Sequence, residues 1–153
     1  MKKIEITAFE LAQRFVGTKE ISGKVANSQI LAMLQLDDSS VQDDEVPWCS
    51  AFVNYISWLL RLPRSKSLAA RSWLSIGSSV SIENAESGFD IVVLKRGGGD
   101  QPGPEVLHAL GHVGFFAGYE GDQVLVLGGN QSDSVNITRF PVDRVLGIRS
   151  LQV

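Results

Sequence analysis

The sequence predicts an α+β fold in which N-terminal helices pack on a C-terminal antiparallel β-sheet. In the first half of the chain, apolar residues recur at helical spacing, most clearly from Cys49 to Leu60. After Gly77 the pattern changes to β-branched runs and alternation, which are typical of strands. Helices come first, strands follow, and no repeat is present. This order favours separate helical and antiparallel parts over alternating β-α units.

Composition predicts one ordinary globular domain spanning residues 1–153. Of the 153 residues, 44% are hydrophobic and 20% are charged, which is enough apolar material for a core. The net charge is −3 and the 14 Lys and Arg are scattered, so a nucleic-acid partner is not expected. A single cysteine excludes an internal disulfide. We expect a monomer.

The chain start does not resemble a secretory signal. Met1–Ile6 contains two lysines but has no long apolar run behind it. The most apolar helical stretch, 51–62, is too short to cross a bilayer. We therefore expect a protein made in a cytoplasm without a membrane partner, which another component must deliver if it acts elsewhere.

Capping signals and proline or glycine breaks define the predicted helices. Thr7 and Glu10 form a capping box at the start of the first helix, and Asn27 or Ser28 can cap the second. Pro63 ends the third. The predicted helices span 7–16, 29–36, 49–60 and 67–74.

The second half predicts strands separated by turn-rich loops. Strands are expected at 90–94, 112–119, 123–127, 134–140 and 144–150. The glycine-rich loop 95–104 lacks the Gly-Lys-Ser/Thr ending of a phosphate-binding loop, so no nucleotide cofactor is predicted. Residues 128–133 are predicted to form a turn-rich junction.

Cys49 is the candidate nucleophile because it opens the strongest amphipathic helix. Unpaired backbone N–H groups and the helix dipole at that position favour a thiolate. Cys49 also falls on the apolar face, so a buried structural thiol is the alternative.

His112 is the candidate general base, since a thiol nucleophile needs a partner that accepts its proton. It opens a predicted strand, with Gly114 and Phe116 on the same face. His108 lies in the preceding loop and is incidental or part of a lid. The pair has the His-x-x-x-His spacing of some zinc sites, but it runs into a strand pattern and lacks the usual glutamate, so no metal is predicted.

Asn130 is the candidate orienting residue for the imidazole. It follows the strand 123–127 and Gly128-Gly129, where a side-chain carbonyl can accept the imidazole N–H. Ordinary turn chemistry is an equally good explanation for an asparagine after two glycines.

Four stretches follow one another in a distinctive order: 47–54, 90–93, 111–115 and 127–131. In this order they resemble the papain-like peptidoglycan hydrolases, closest to the NlpC-type and CHAP-type cysteine peptidases and to compact bacteriophage or prophage endolysins. The segment Gly17–Gly23, with Asn27, resembles the N-terminal segment of that compact branch. Phe89 departs from the glycine that the family usually has before its first strand.

The resemblance implies a hydrolase that cuts an amide bond of the peptidoglycan stem peptide, as an endopeptidase or amidase, through a cysteine acyl-enzyme. It implies Cys49 as nucleophile, His112 as base and Asn130 as the orienting residue. Glu20, Glu45 and Trp48 are candidate cleft-wall residues, with packing as the alternative for Trp48 and plain surface exposure for Glu45.

The implied partner is bacterial peptidoglycan in the periplasm or cell wall, reached with a holin or a secretion system. No separate cell-wall-binding domain is expected. Two alternatives stay open: an interbacterial secreted amidase effector, and a non-catalytic binding module that keeps the fold. Alkylation of Cys49 by iodoacetamide near neutral pH distinguishes an enzyme from a module with a buried structural thiol.

Overall fold

A computed structural model describes residues 1–23 and 25–152 of the chain. Three α-helices precede the six strands: α1 (Ala8–Gln13), α2 (Ser28–Gln35) and α3 (Cys49–Leu60). Short 3-10 helices span Ala70–Ser75, Ile82–Asn84 and Val142–Arg144. The strands are β1 (Ser78–Val80), β2 (Asp90–Lys95), β3 (Gly111–Glu120), β4 (Gln123–Gln131), β5 (Ser134–Pro141) and β6 (Val145–Ser150).

The six strands form one antiparallel sheet in the order β1-β6-β2-β3-β4-β5. The predicted α+β arrangement, with helices on a C-terminal antiparallel sheet, is confirmed. Among the described residues, no helix has the length and apolar character needed to cross a membrane.

Apolar side chains cover both faces of the sheet, which explains the unbroken apolar run of β2. Val113 and Phe115 of β3 pack on the helix side, together with Phe52 of α3. Phe116 packs on the opposite face with residues of β2 and β4, as strand alternation predicts. A second small core on that face therefore supports the strand end that carries His112.

Helix α3 is the central helix, and its predicted bounds are confirmed. Eight of its twelve residues are buried. Hydrogen bonds of Ser50 fix its first turn: the hydroxyl donates to the Ser67 carbonyl and accepts from the Trp73 indole at 2.9 Å. Arg61, in the left-handed conformation, ends the helix before Pro63. These contacts hold Cys49 in a fixed position at the helix start.

The segment after α1 joins the edge of the sheet. Lys19 forms a β-bridge with Ser134, and Glu20 N–H donates to the Asp133 carbonyl at 2.9 Å. The buried Asp44 carboxylate then accepts from the backbone of Ile21 (3.1 Å) and of Asn27 (2.6 Å). The N-terminal segment is thus tied to β5 on one side and to the approach to α3 on the other.

The structure corrects the predicted end of β4. Residues 128–131 were predicted as a junction after the strand, but β4 continues to Gln131 and pairs there with Ser134. Ser132 and Asp133 form the two-residue turn, both with positive φ (+50° and +60°). That is the backbone of the tight turns that match the twist of paired strands. The other differences are smaller: the fourth predicted helix is the 3-10 helix Ala70–Ser75, and β1 was not predicted.

Removing the Asp44 carboxylate is expected to destabilise the fold. Asp44→Ala leaves two partly buried backbone N–H groups without their acceptor, so we expect a loss of about 2 kcal/mol in the free energy of unfolding. Urea denaturation measures this loss. The matched control is Asp100→Ala, which removes an exposed carboxylate from a loop; equal midpoints for the two variants would contradict the structural role of Asp44.

Candidate active site

Cys49 is the first residue of α3 and lies at its N-terminus, where the sequence predicts it. No side chain caps this helix end, because the N-cap residue Trp48 makes no capping hydrogen bond. The first turn therefore keeps the partial positive charge of free N–H groups. Only 3% of the Cys49 surface is exposed. The environment of the thiol is thus set mainly by its protein neighbours.

The thiol of Cys49 and the imidazole of His112 form an interacting pair. Burial raises the pKa of Cys49, but the hydrogen bond and the charge of His112, the Val113 N–H and the charge of Arg96 outweigh it, so the pKa lies below its usual value. Burial lowers the pKa of His112, yet the interaction with Cys49 and a hydrogen bond to Gln131 leave it raised. Both directions favour a thiolate–imidazolium pair.

His112 is held on both its ring edge and its ring face. Its Nε2 lies 2.9 Å from Oε1 of Gln131. Its ring packs on Phe140 of β5, with ring centroids 5.3 Å apart. The residue is 7% exposed, so these contacts leave little rotational freedom to the imidazole.

The hydrogen bonds of Gln131 determine which nitrogen of His112 carries the proton. Nε2 of Gln131 donates to the carbonyls of Val126 (3.1 Å) and Asn136 (2.8 Å), which can only accept. Its Oε1 is thereby turned to the imidazole as an acceptor, so His112 Nε2 is the donor. The other ring nitrogen, Nδ1, is left for the thiol of Cys49.

The hydrogen bond to the imidazole that was expected from Asn130 is made by Gln131. Asn130 sits in the left-handed conformation (φ +56°) within a bulge between Gly128 and Gln131. The bulge adds a residue to β4 and turns the next side chain, that of Gln131, toward His112. Asn130 instead borders a neighbouring cleft. The prediction that Asn130 accepts the imidazole N–H is therefore corrected.

The two glycines of β4 make room for the site on opposite faces of the strand. A Cβ on Gly128 would lie 2.6 Å from Oε1 of Gln131, in the path of its bond to His112. A Cβ on Gly129 would lie 2.5 Å from the indole of Trp48. Larger residues at either position would displace the imidazole partner or the start of α3.

The three predicted cleft-wall residues are in different settings. Trp48 is fully buried, and its indole N–H donates to Glu20 Oε1 at 2.7 Å, which fits the packing alternative and not a cleft wall. Glu45 is exposed. Burial raises the pKa of Glu20; the Trp48 hydrogen bond opposes this, and the nearby acids Asp133, Asp44 and Glu45 add to it.

A cleft of about 390 Å³ opens beside the imidazole, between the loop after β2 and the end of β5. His112, Gln131 and Phe140 border it, with the cationic side chains of Lys95, Arg96 and Arg144. His108 lies apart from this arrangement, in the exposed loop before β3.

Gln131 is the site residue that sequence reasoning missed. The available signal was weak: Ser132-Asp133 can be a two-residue turn, which extends the strand to Gln131. Asn-Gly or Asp-Gly is the usual sequence of such turns, so Ser-Asp did not stand out.

Replacing His112 is expected to shift the reactivity of Cys49 to higher pH. His112→Ala removes the main interactions that lower the thiol pKa, so the midpoint of the rate of iodoacetamide alkylation against pH should rise by roughly one pH unit or more. Cys49 is the only cysteine, so all label reports on it. The control is His108→Ala, which removes the exposed histidine. Identical profiles for His112→Ala and the unmodified protein would contradict the pairing.

Replacing Gln131 is expected to lower the pKa of His112, because its hydrogen bond favours the protonated ring. An NMR titration of the imidazole in Gln131→Ala measures the shift. Asn130→Gly is the matched control: it removes the neighbouring amide and tolerates the left-handed backbone. A larger drop in Asn130→Gly than in Gln131→Ala would restore Asn130 as the imidazole partner.

Comparison with known proteins supports the fold. No protein-family model and no curated protein matches the sequence. Among solved structures, the chain is similar to NlpC1 from Trichomonas vaginalis, with a TM-score of 0.55 and 15% identity over 98% of this chain. The chain spans about half of that protein, 46% of its length. The architecture is therefore NlpC-like, in agreement with the NlpC-type part of the resemblance.

Proposed function

We propose that the protein is a peptidoglycan hydrolase that cleaves an amide bond of the stem peptide through Cys49. The observation that carries this proposal is the pairing of Cys49, at an uncapped helix N-terminus, with a buried His112 whose other nitrogen is held by Gln131. A purely structural thiol does not require a histidine with a fixed tautomer beside it.

The reaction follows from this geometry. The Cys49 thiolate attacks the amide carbonyl carbon, and the carbonyl π electrons move to oxygen to give a tetrahedral oxyanion. The free N–H groups of the first turn of α3 stabilise that negative charge. The imidazolium of His112 gives its Nδ1 proton to the leaving nitrogen as the carbon–nitrogen bond breaks. Water, deprotonated by the neutral imidazole, then hydrolyses the thioester and frees Cys49.

Gln131 is the positioning residue in this scheme. Its Oε1 stabilises the imidazolium, and its amide is fixed by the carbonyls of Val126 and Asn136. This is the role that the resemblance implied for Asn130.

Peptidoglycan is proposed as the substrate on two grounds. The four resembling stretches follow the order of the papain-like peptidoglycan hydrolases, and the architecture is NlpC-like. The finer proposal is a phage or prophage endolysin of the NlpC-type or CHAP-type group that is released with a holin. An interbacterial effector delivered by a secretion system is the alternative. A neighbouring holin gene or immunity gene separates the two.

Cys49→Ala is expected to abolish lysis of purified sacculi, because it removes the thiol that attacks the amide in the proposed reaction. The measurement is the loss of turbidity of a sacculus suspension, followed by mass spectrometry of the released muropeptides, which identifies the bond that is cut. Near-UV circular dichroism of the variant verifies that the fold is unchanged.

The matched control is Ser72→Ala in the 3-10 helix Ala70–Ser75, which removes a hydroxyl of similar size that donates to the Ala69 carbonyl and should leave lysis unchanged. Full lysis by Cys49→Ala would refute the proposed nucleophile. Binding of sacculi without release of muropeptides by the unmodified protein would favour the non-catalytic binding module.

A further inference from the structure

The cleft beside His112 has features that the reaction itself does not use. It lies between Lys95–Gly97 and the end of β5, and Arg144 also borders it. Cys49 does not border it, so the cleft extends away from the nucleophile on the imidazole side. A group bound there would belong to a part of the substrate adjacent to the reacting bond.

Each of the Lys, Arg, Asp or Glu side chains that border the cleft is cationic. These side chains are Lys95, Arg96 and Arg144, and no Asp or Glu joins them among the described residues. Within the same part of the chain, none of the three forms an ion pair. The chain as a whole carries a net charge of −3, so this grouping runs against its overall balance.

Arg144 holds a defined position at the cleft. Its guanidinium donates to the Gly97 carbonyl at 2.6 Å and so connects the 3-10 helix after β5 to the loop after β2. A guanidinium has five N–H donors, and this bond uses one of them. The remaining donors are available for an oxygen anion, for which a guanidinium has matching geometry.

Phe140 and Pro141 give the cleft an apolar part. Phe140 packs against the His112 ring at a tilt, and Pro141 follows it at the end of β5. Apolar side chains beside cationic ones suit a short aliphatic segment that ends in a carboxylate. A nucleic acid would need a longer basic surface than three side chains provide.

The cleft is electrostatically linked to the reacting pair. The charge of Arg96 reaches both Cys49 and His112 and contributes to lowering the pKa of each. An anion bound at Arg96 therefore lies within the range in which charges influence this pair.

We propose that this cleft is a substrate subsite that binds a free carboxylate of the stem peptide through Arg96 and Arg144, with Lys95 at its edge. The inference rests on the proposed function for the identity of the substrate. It adds a specificity: the enzyme distinguishes stem peptides with free carboxylates from those in which the carboxylates are amidated.

The test is equilibrium binding to the Cys49→Ala protein, which cannot turn the peptide over. Two synthetic stem peptides are titrated by calorimetry, one with free carboxylates and one with the same groups amidated. We expect amidation to weaken binding roughly tenfold or more, the effect of losing charge-assisted hydrogen bonds. Adding Arg96→Gln and Arg144→Gln should remove this preference.

The matched control is Arg139→Gln in the same Cys49→Ala background. Arg139 lies on β5 next to Phe140, is exposed and pairs with Glu120 at 3.1 Å. Its replacement therefore removes one positive charge outside the cleft. The preference for the free carboxylate should persist. Lys95→Gln, which disturbs no described hydrogen bond, serves as a second variant if the double change impairs folding, and a partial loss of preference is then expected.

Three results would overturn the subsite: equal affinity for the two peptides, a preference that survives the change of Arg96 and Arg144, or inorganic phosphate binding as tightly as the free-carboxylate peptide. The last result would indicate a general anion site. The proposed function is tested separately by sacculus lysis. Lysis together with equal peptide affinities overturns the subsite alone, whereas carboxylate-selective binding without lysis overturns the hydrolase and leaves the subsite standing.

Discussion

The close approach of the first turn of α3 to strand β4 is the constraint on which the rest of the site depends. Gly129 lets the indole of Trp48 lie against the strand, and Gly128 leaves the space in which Gln131 reaches His112. Gly129 thus allows the position of the helix start, and the adjacent Gly128 allows the position of Gln131, on opposite faces of the strand. Because a Cβ at either position would come within 2.6 Å of these groups, the arrangement tolerates only glycine without movement.

The second determinant is the balance between burial and pairing at Cys49 and His112. Burial opposes charge on both groups, since it raises the pKa of the thiol and lowers that of the imidazole. Their interaction outweighs burial in each case. The side chain of Gln131 on β4 favours the charged imidazole, and the backbone N–H of Val113 on β3 favours the charged thiol. Both strands therefore support the charged pair.

The surroundings of this pair carry opposite charges on its two sides. On the Trp48 side, Glu20 interacts with Asp44, Glu45 and Asp133, and these acids raise its pKa. On the His112 side, the cleft is bordered by cations. Such an asymmetry favours one direction across the site for any ligand that has an amino group at one end and a carboxyl group at the other. The acidic side is also structural, because Asp44 ties two backbone segments together and Glu20 holds Trp48.

Local patterns in the sequence determined the helix α3 with its start at Cys49, the capping box of α1 and the alternation of β3. They also determined the order of helices before strands. Each of these features depends on residues close together in the chain. Tertiary structure decided which amide meets His112. That choice depends on a bulge in β4 and on a two-residue turn with an unusual Ser-Asp sequence, and both are stabilised by strand pairing with β5. It also decided that Trp48 is buried and that Arg144 shares one cleft with Lys95 and Arg96, because Arg144 is far from that pair in the sequence and meets it only when the sheet forms.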